Sequence, residues 1–290
     1  MDTLNPKVGQ RWKQTLIMAD ILLTPFHYSF MINAFIIAAI ISVPAALLSC
    51  FLVLKGWSLM GDAISHSVLP GIIISYLLSI PLIIGAFCSG MVCAVLSGFL
   101  SENSRLKHDT IMGIVFSGMF GFGIVLYSKV STEVHLDHIL FGNILGINFE
   151  DLLISFLISS MVTILVTIKR HDLLLHTFDP IQARSVGIPV RLLHYSFLAM
   201  VSVTIVATLS AVGIILSIGL LIAPGAIAFL LTQRFNQMLI IATLISLLSS
   251  FFGIYVSFFI DSAPAPTIIL LLTACFITAL IGKSRKFKTS

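Results

Sequence analysis

One acid and one histidine, four residues apart in an apolar stretch, are the side chains most able to do chemistry in this sequence. Between Trp57 and Leu100, Asp62 is the single acid and His66 the single histidine. Residues at i and i+4 share one face of a helix. Carboxylate oxygen and imidazole nitrogen suit a first-row divalent cation such as Mn²⁺, Fe²⁺ or Zn²⁺. The spacing therefore favours a pair of metal ligands.

A plainer interpretation of the same pair is helix packing, in which His66 donates a hydrogen bond to Asp62 and the two neutralise each other. Two protein ligands are also too few to hold a metal ion. A dimer would solve this, because two facing helices supply two aspartates and two histidines. The metal hypothesis is therefore tied to dimerisation.

A second polar cluster follows further along the chain. Its members are Glu133, His135, Asp137 and His138. They could collect cations or contact a donor protein outside the membrane. A solvated, charged loop is the simpler interpretation, and we favour it.

The composition shows what must position these residues. Of the 290 residues, 58% are hydrophobic and 10% are charged, whereas a soluble domain is about 45–50% apolar and about 25% charged. The mean hydropathy is +1.10. A net charge of +4 is too small to indicate a nucleic-acid partner. The four cysteines lie in apolar stretches, without CxxC spacing, and are typical of packing residues.

Long windows free of Asp, Glu, Lys and Arg predict membrane spans of about 20 residues each. The windows are 21–54, 63–101, 110–128, 152–168, 192–233, 235–260 and 262–282. Two of them are long enough for two spans, with turns expected at Ser79–Pro81 and near Ser210–Gly213. The fold class is therefore all-α, a polytopic transmembrane helical bundle with about eight or nine spans.

Basic clusters predict the cytoplasmic side. The loop at about 169–191 and the tail at 283–290 are both basic, and four spans between them place both on one side. We expect an N-terminal segment at 1–24 and a transmembrane permease domain at 25–282. Five spans before the loop would put the N-terminus outside, whereas the basic residues of that segment indicate the inside, and the sequence leaves this conflict open.

Within the 169–191 loop, Asp179 and Pro180 are typical of a helix start, as N-cap and first residue. The helix should end at about Val186, before Gly187. A short helix on the cytoplasmic face could receive force from a soluble motor, although a plain connecting loop fits equally well. The sequence contains no GxxxxGK[ST] motif, so any nucleotide must be bound by another chain.

Several stretches together resemble the metal-transport permeases of ABC importers, those for manganese, iron and zinc. The clearest is WSLMGDAISHSVLPG at 57–71. Others are HDTIMGIVFS at 108–117, HLDHILFGNILG at 135–146, TFDPIQARSVG at 177–187, VGIILSIGLLIAPG at 212–225 and GIYVS at 253–257. The resemblance covers about 25–282 and is greatest to the enterobacterial manganese/iron type. His108 is a departure, since relatives often carry an acid there.

The resemblance implies a function and a set of partners. It implies a transport subunit in the bacterial inner membrane, paired with a second permease chain as a homodimer or heterodimer. Cytoplasmic ATP-binding subunits would hydrolyse ATP, and an extracytoplasmic metal-binding protein would deliver the ion. No permanent cofactor is implied, only transported Mn²⁺, Fe²⁺ or Zn²⁺.

The family also implies roles for particular residues. Asp62 and His66 would lie in the translocation path. The coupling helix that contacts the ATPase would be formed around Phe178, Asp179, Pro180, Ala183 and Gly187.

Rival functions stay open at this point. Zinc is one alternative cargo, and a metal chelate such as a siderophore is another. An intramembrane metalloenzyme would need three protein ligands and an open position, and the sequence has no HExxH motif.

Overall fold

The computed structural model describes residues 22–129 and 144–288, and these are almost entirely helical. A short 3-10 turn at Thr24–His27 precedes the first α-helix. The α-helices are α1 Ser29–Lys55, α2 Met60–Leu77, α3 Leu82–Asn103, α4 His108–Lys129, α5 Phe149–Ile168, α6 Arg170–Phe178, α7 Pro180–Ser185, α8 Val190–Leu231, α9 Phe235–Ile260 and α10 Pro264–Lys288. The predicted all-α membrane bundle is confirmed.

Within the described residues, seven helices are long and apolar enough to cross a membrane. One of them, α8, is broken at Gly213, whose φ of 83° lies in the left-handed region that favours glycine. The hydroxyls of Thr208 and Ser217 lie 2.5 Å apart across this break. Nine residues of straight helix would rise about 13 Å, so the chain folds back at Gly213 and α8 supplies two spans.

Helix α2 is 18 residues long and contains Asp62, His66 and Pro70, which lower its hydropathy. At about 1.5 Å per residue it is about 27 Å long, close to the thickness of the hydrocarbon layer. With α2 and the two halves of α8 counted separately, the bundle has nine membrane segments. This is the upper figure expected from the sequence.

One side of the bundle collects several basic and aromatic residues, and we call it the basic end. Trp57, just after α1, stacks on His108 at the start of α4 with ring centroids 4.7 Å apart. It also meets His194, near the start of α8, edge-on at 5.7 Å. Lys55 Nζ lies 3.2 Å from His176 Nε2 of α6. The 169–191 segment therefore packs beside the end of α1.

The opposite end holds the start of the described chain. The hydroxyl of Tyr255, near the end of α9, donates a hydrogen bond to the carbonyl of Leu22. Since α1 runs from this end to the basic end, all five long helices before the 169–191 segment alternate in direction. The described chain therefore begins on the side opposite the basic end, and residues 1–21 lie outside the described part of the chain.

Helices α1 and α8 form the centre of the bundle, and the others surround them. The two helices are hydrogen-bonded to each other beside Pro224, which interrupts α8. Ser49 Oγ of α1 donates to the carbonyl of Ile222 at 3.1 Å and accepts from the N–H of Gly225 at 2.9 Å. A side chain at Gly225 would overlap the backbone of Ser49. This close approach ties the second half of α8 to α1.

The 169–191 segment contains more structure than the sequence predicted. The short helix expected after Asp179 is present as α7, but α6 precedes it and was missed. Two side chains one turn apart, Leu173 and His176, are buried and fix α6 to the bundle. At the other end of the sequence, α10 continues into the basic tail as far as Lys288.

Candidate functional site

Residues 60–73 of helix α2 are enclosed by their neighbours apart from one strip. Every residue in 60–73 is buried except Asp62 and His66. Their side chains are 31% and 27% exposed. The two ionisable side chains of this segment therefore share the one part of its surface that is not buried.

The geometry of the pair is compatible with both interpretations raised by the sequence. His66 Nε2 lies 3.3 Å from Asp62 Oδ1. This is long for a hydrogen bond between charged groups, which is about 2.7–2.9 Å. Two ligands at about 2.1 Å from one ion are about 3.0–3.4 Å apart in octahedral or tetrahedral geometry. The observed separation lies within that range.

Two phenylalanines from α4 enclose the imidazole of His66. The Phe116 ring stacks against it at 5.9 Å, and the Phe120 ring meets it edge-on at 5.3 Å. His66 Nδ1 is buried and has no partner among the described residues. These aromatic neighbours were not identified from the sequence, although their i, i+4 spacing places them on one face of α4.

The pair lies closer to the basic end than the sequence suggested. In the sequence Lys55 marks the predicted membrane boundary, and a continuous helix from it would place Asp62 and His66 about 10 and 16 Å into the membrane. The structure has a non-helical turn after Lys55, with Gly56 in the left-handed region at φ 69°, and α2 begins at Met60. From that residue the rise to Asp62 is about 3 Å and to His66 about 9 Å.

The short helix α7 is shaped by three of the residues expected to form a coupling helix. Asp179 Oδ1 accepts hydrogen bonds from the N–H groups of Ile181 and Gln182 at 3.0 and 2.9 Å. Ala183 is fully buried and faces the bundle. Gly187 ends the turn with a φ of 87°. The predicted N-cap and the predicted stop are therefore both present.

The outer side of the same segment is apolar and exposed. Phe178, Ile181 and Val186 are 65%, 81% and 67% exposed. We call these three residues the docking patch. Exposed apolar patches that are rimmed by polar residues mark contacts with other proteins or with the membrane. Ile181 and Val186 were not identified from the sequence, since neither carries a polar or conformational signal.

A family model matches almost the whole chain. The ABC 3 transport family model covers residues 27–283. The chain belongs to this family. The match runs from α1 into α10 and therefore includes both Asp62 and the 169–191 segment.

Similar members of the ABC 3 family have been named as transport proteins. The chain is 52% identical to YfeD, a chelated iron transport system membrane protein of Yersinia pestis, over 91% of this chain and 89% of that protein. It is 43% identical to MntB, a manganese transport system membrane protein of Synechocystis, over 90% and 85% of the two chains. The solved structure of PsaBC from Streptococcus pneumoniae superposes with a TM-score of 0.80 at 32% identity, over 90% of this chain and 95% of that one.

The second cluster predicted from the sequence cannot be compared with the structure. Glu133, His135, Asp137 and His138 lie outside the described residues. Within 22–129 and 144–288, no group of three or more His, Cys, Asp or Glu side chains is arranged to hold a metal ion. In this part of the ABC 3 chain, Asp62 and His66 are a pair without a third such ligand.

His176 should make the stability of this ABC 3 protein depend on pH. Burial first, then Lys55 and His194, lower the pKa of His176 from 6.5 to about 4. Between these values the unfolded chain binds more protons than the folded one, so stability falls as the pH falls. From pH 7 to pH 5 the free energy of unfolding should decrease by about 2 kcal/mol through this residue.

The change His176→Gln removes the titration and keeps a hydrogen-bonding side chain. Thermal unfolding midpoints in mild detergent, measured at pH 7 and pH 5, should fall less for the variant than for the wild type. Equal falls for the two proteins would contradict the prediction.

Proposed function

We propose that this chain is the permease subunit of an ATP-driven importer that moves Mn²⁺ or Fe²⁺ across the bacterial inner membrane. The observation that carries the proposal is the strip on α2, where Asp62 and His66 are the two residues of 60–73 that are not buried. An acid in a membrane segment costs about 3 kcal/mol or more unless it faces a partner or a cavity. If the transported cation passes along this strip, Asp62 has a function as its ligand. The named relatives, which transport manganese and chelated iron, support the choice of cargo.

A second permease chain completes the site in this proposal. One chain offers two ligands, Asp62 and His66, and first-row divalent ions need at least four. The strip is partly exposed in the single chain, so it can face a similar strip on a partner. Two such strips would enclose the ion and supply two carboxylates and two imidazoles.

The basic end is the cytoplasmic side in this proposal, and ATP-binding subunits contact the docking patch there. ATP binding moves α6 and α7, which are linked to the α1–α2 turn through Lys55, the neighbour of both His176 and Trp57. An extracytoplasmic metal-binding protein delivers the ion to the opposite end. Such a cycle moves the ion only if the site binds it with different affinity in its two states.

Reconstitution tests the function directly. Proteoliposomes that contain this chain, its partner permease and the ATPase should accumulate radioactive Mn²⁺ or Fe²⁺ when the binding protein and ATP are supplied. Omission of the ATPase should abolish accumulation, and competition with Zn²⁺ identifies the preferred ion. Metal transformation or transport by this chain alone would contradict the proposal, as would accumulation of an intact chelate in place of the free ion.

A further inference from the structure

A cavity of about 340 Å³ opens at the basic end, between the end of α1 and the starts of α7 and α8. We call it the basic pocket. Its lining includes Lys55, His176, Arg184, Arg191 and His194, and it contains no aspartate or glutamate. One lysine and two arginines therefore face one volume whose described lining holds no carboxylate.

Lys55 is the innermost of these cations. Its Nζ lies 3.2 Å from His176 Nε2 and 3.9 Å from the centre of the Trp57 ring. Two salt bridges occur among the described residues, and neither involves Lys55, Arg184 or Arg191. A half-buried ammonium group held by an imidazole and an aromatic face still lacks a counter-ion.

His176 supplies an unmet hydrogen-bond donor in the same lining. An ammonium group only donates, so His176 Nε2 accepts from Lys55 and the proton of the neutral imidazole is on Nδ1. His176 is 5% exposed, and its Nδ1 is buried with no partner among the described residues. A buried donor without an acceptor costs about 1–3 kcal/mol. The unbalanced charge of the lining calls for an anion, and the buried Nδ1 shows that the hydrogen bonding around His176 is incomplete.

The mouth of the basic pocket indicates where that anion comes from. Pro180 and Arg184, both on α7, form part of the wall. The same short helix displays Ile181 of the docking patch on its outer side, 81% exposed. A protein that covers the docking patch therefore also covers the pocket mouth, and an acidic side chain on that protein can enter.

We propose that the basic pocket receives a carboxylate side chain of the ATPase subunit, which forms an ion pair with Lys55 and Arg184. This inference rests on the proposed function, because it assumes that an ATPase docks on α7. The ion pair would connect the docked subunit to Trp57, which lies five residues before Asp62. It would thus give the ATPase a polar contact in addition to the apolar docking patch.

Zero-length crosslinking of the wild-type complex tests the inference. A carbodiimide joins an amine to a carboxylate only when the two are in contact. Peptide mapping should reveal a bond between Lys55 and an aspartate or glutamate of the ATPase subunit. The pair Lys169 and Asp172, whose Nζ and Oδ2 are 3.1 Å apart, provides an internal control for the reaction.

Two variants add an affinity measurement. Lys55→Gln should weaken ATPase binding at least tenfold and reduce its dependence on salt. Lys283→Gln removes a cation at the same end that does not line the pocket, and it should bind as the wild type does.

Three outcomes would count against these ideas, and they are distinguishable. Failure of the ATPase to copurify with the wild-type chain would contradict the proposed function. Copurification with the Lys169–Asp172 crosslink but without a crosslink from Lys55 to the ATPase would overturn this inference alone. So would tight calorimetric binding of inorganic phosphate to the isolated wild-type chain that Lys55→Gln abolishes, since the pocket would then serve a free anion.

Discussion

Asp62→Ala is expected to abolish metal uptake while leaving the importer assembled. The substitution removes the one carboxylate on the exposed strip of α2. Loss of a partner that merely orients a metal ligand costs about 10–100-fold in affinity, so loss of a ligand should reduce uptake by more than about 100-fold. Asp62 is 31% exposed and outside the packed core, and alanine favours the helix. Assembly should therefore be retained.

The measurement is uptake of radioactive Mn²⁺ into proteoliposomes, with copurification of the ATPase as a test of assembly. Asp109→Ala is the matched control, because it removes the same charge from an exposed position in the first turn of α4. The control should transport at the wild-type rate. Asp62→Asn keeps the shape of the side chain but removes the charge, and it should also fail. Normal uptake by either Asp62 variant would show that the transported ion does not bind at this position.

The membrane architecture could be predicted from the sequence because lipid imposes a simple rule. A span needs about 20 apolar residues, and breaks between spans need residues that leave the helix. Both predicted turns are present: Ser79 lies between α2 and α3 with a φ of 54°, and Gly213 divides α8. The four spans after the 169–191 segment also lie where they were expected, within a few residues.

The surroundings of the site were less accessible to sequence reasoning. The i, i+4 spacing of Asp62 and His66 placed them on one face, but which neighbour covers that face depends on tertiary packing. The aromatic pair from α4, Phe116 and Phe120, is about fifty residues away in the chain. The helical rise counted from Lys55 was too large because a single glycine, Gly56, ends α1 and inserts a turn that adds no helical rise.

The basic pocket is a second feature that sequence reasoning could not predict, because its residues lie even further apart in the chain. In the sequence, Lys55 indicates only the boundary of a membrane span. His176 lies 121 residues later, and their contact exists because α6 folds back against the end of α1. The sequence predicted a loop at that point, so no pattern in it could have brought the two side chains together.

Phe178→Ala is expected to weaken binding of the ATPase about tenfold or more. Phe178 is 65% exposed on the isolated chain, next to Ile181 and Val186. Burying such a side chain at an interface contributes about 1.5–3 kcal/mol, and 1.4 kcal/mol is about a factor of ten in the dissociation constant. Because the side chain is exposed before docking, its removal should leave the thermal stability of the chain unchanged.

The matched control is Phe149→Ala. Phe149 is 76% exposed at the start of α5, at the end of the bundle away from the docking patch. Titration of the detergent-solubilised permease with the ATPase should give a weaker dissociation constant for the Phe178 variant and the wild-type value for the Phe149 variant. Equal constants for all three proteins would contradict the coupling role of this segment.

Two substitutions of Gly187 distinguish the effect of docking from the effect of backbone strain in the same binding measurement. Its φ of 87° penalises any side chain, by about 1–2 kcal/mol, and a Cβ there would meet no atom within 4 Å. Gly187→Ala therefore introduces the strain alone, whereas Gly187→Trp adds bulk on the face that would meet the ATPase. The tryptophan variant should bind the ATPase more weakly than the alanine variant. If both bind equally, the loss comes from the turn of α7, and Gly187 is not at the contact.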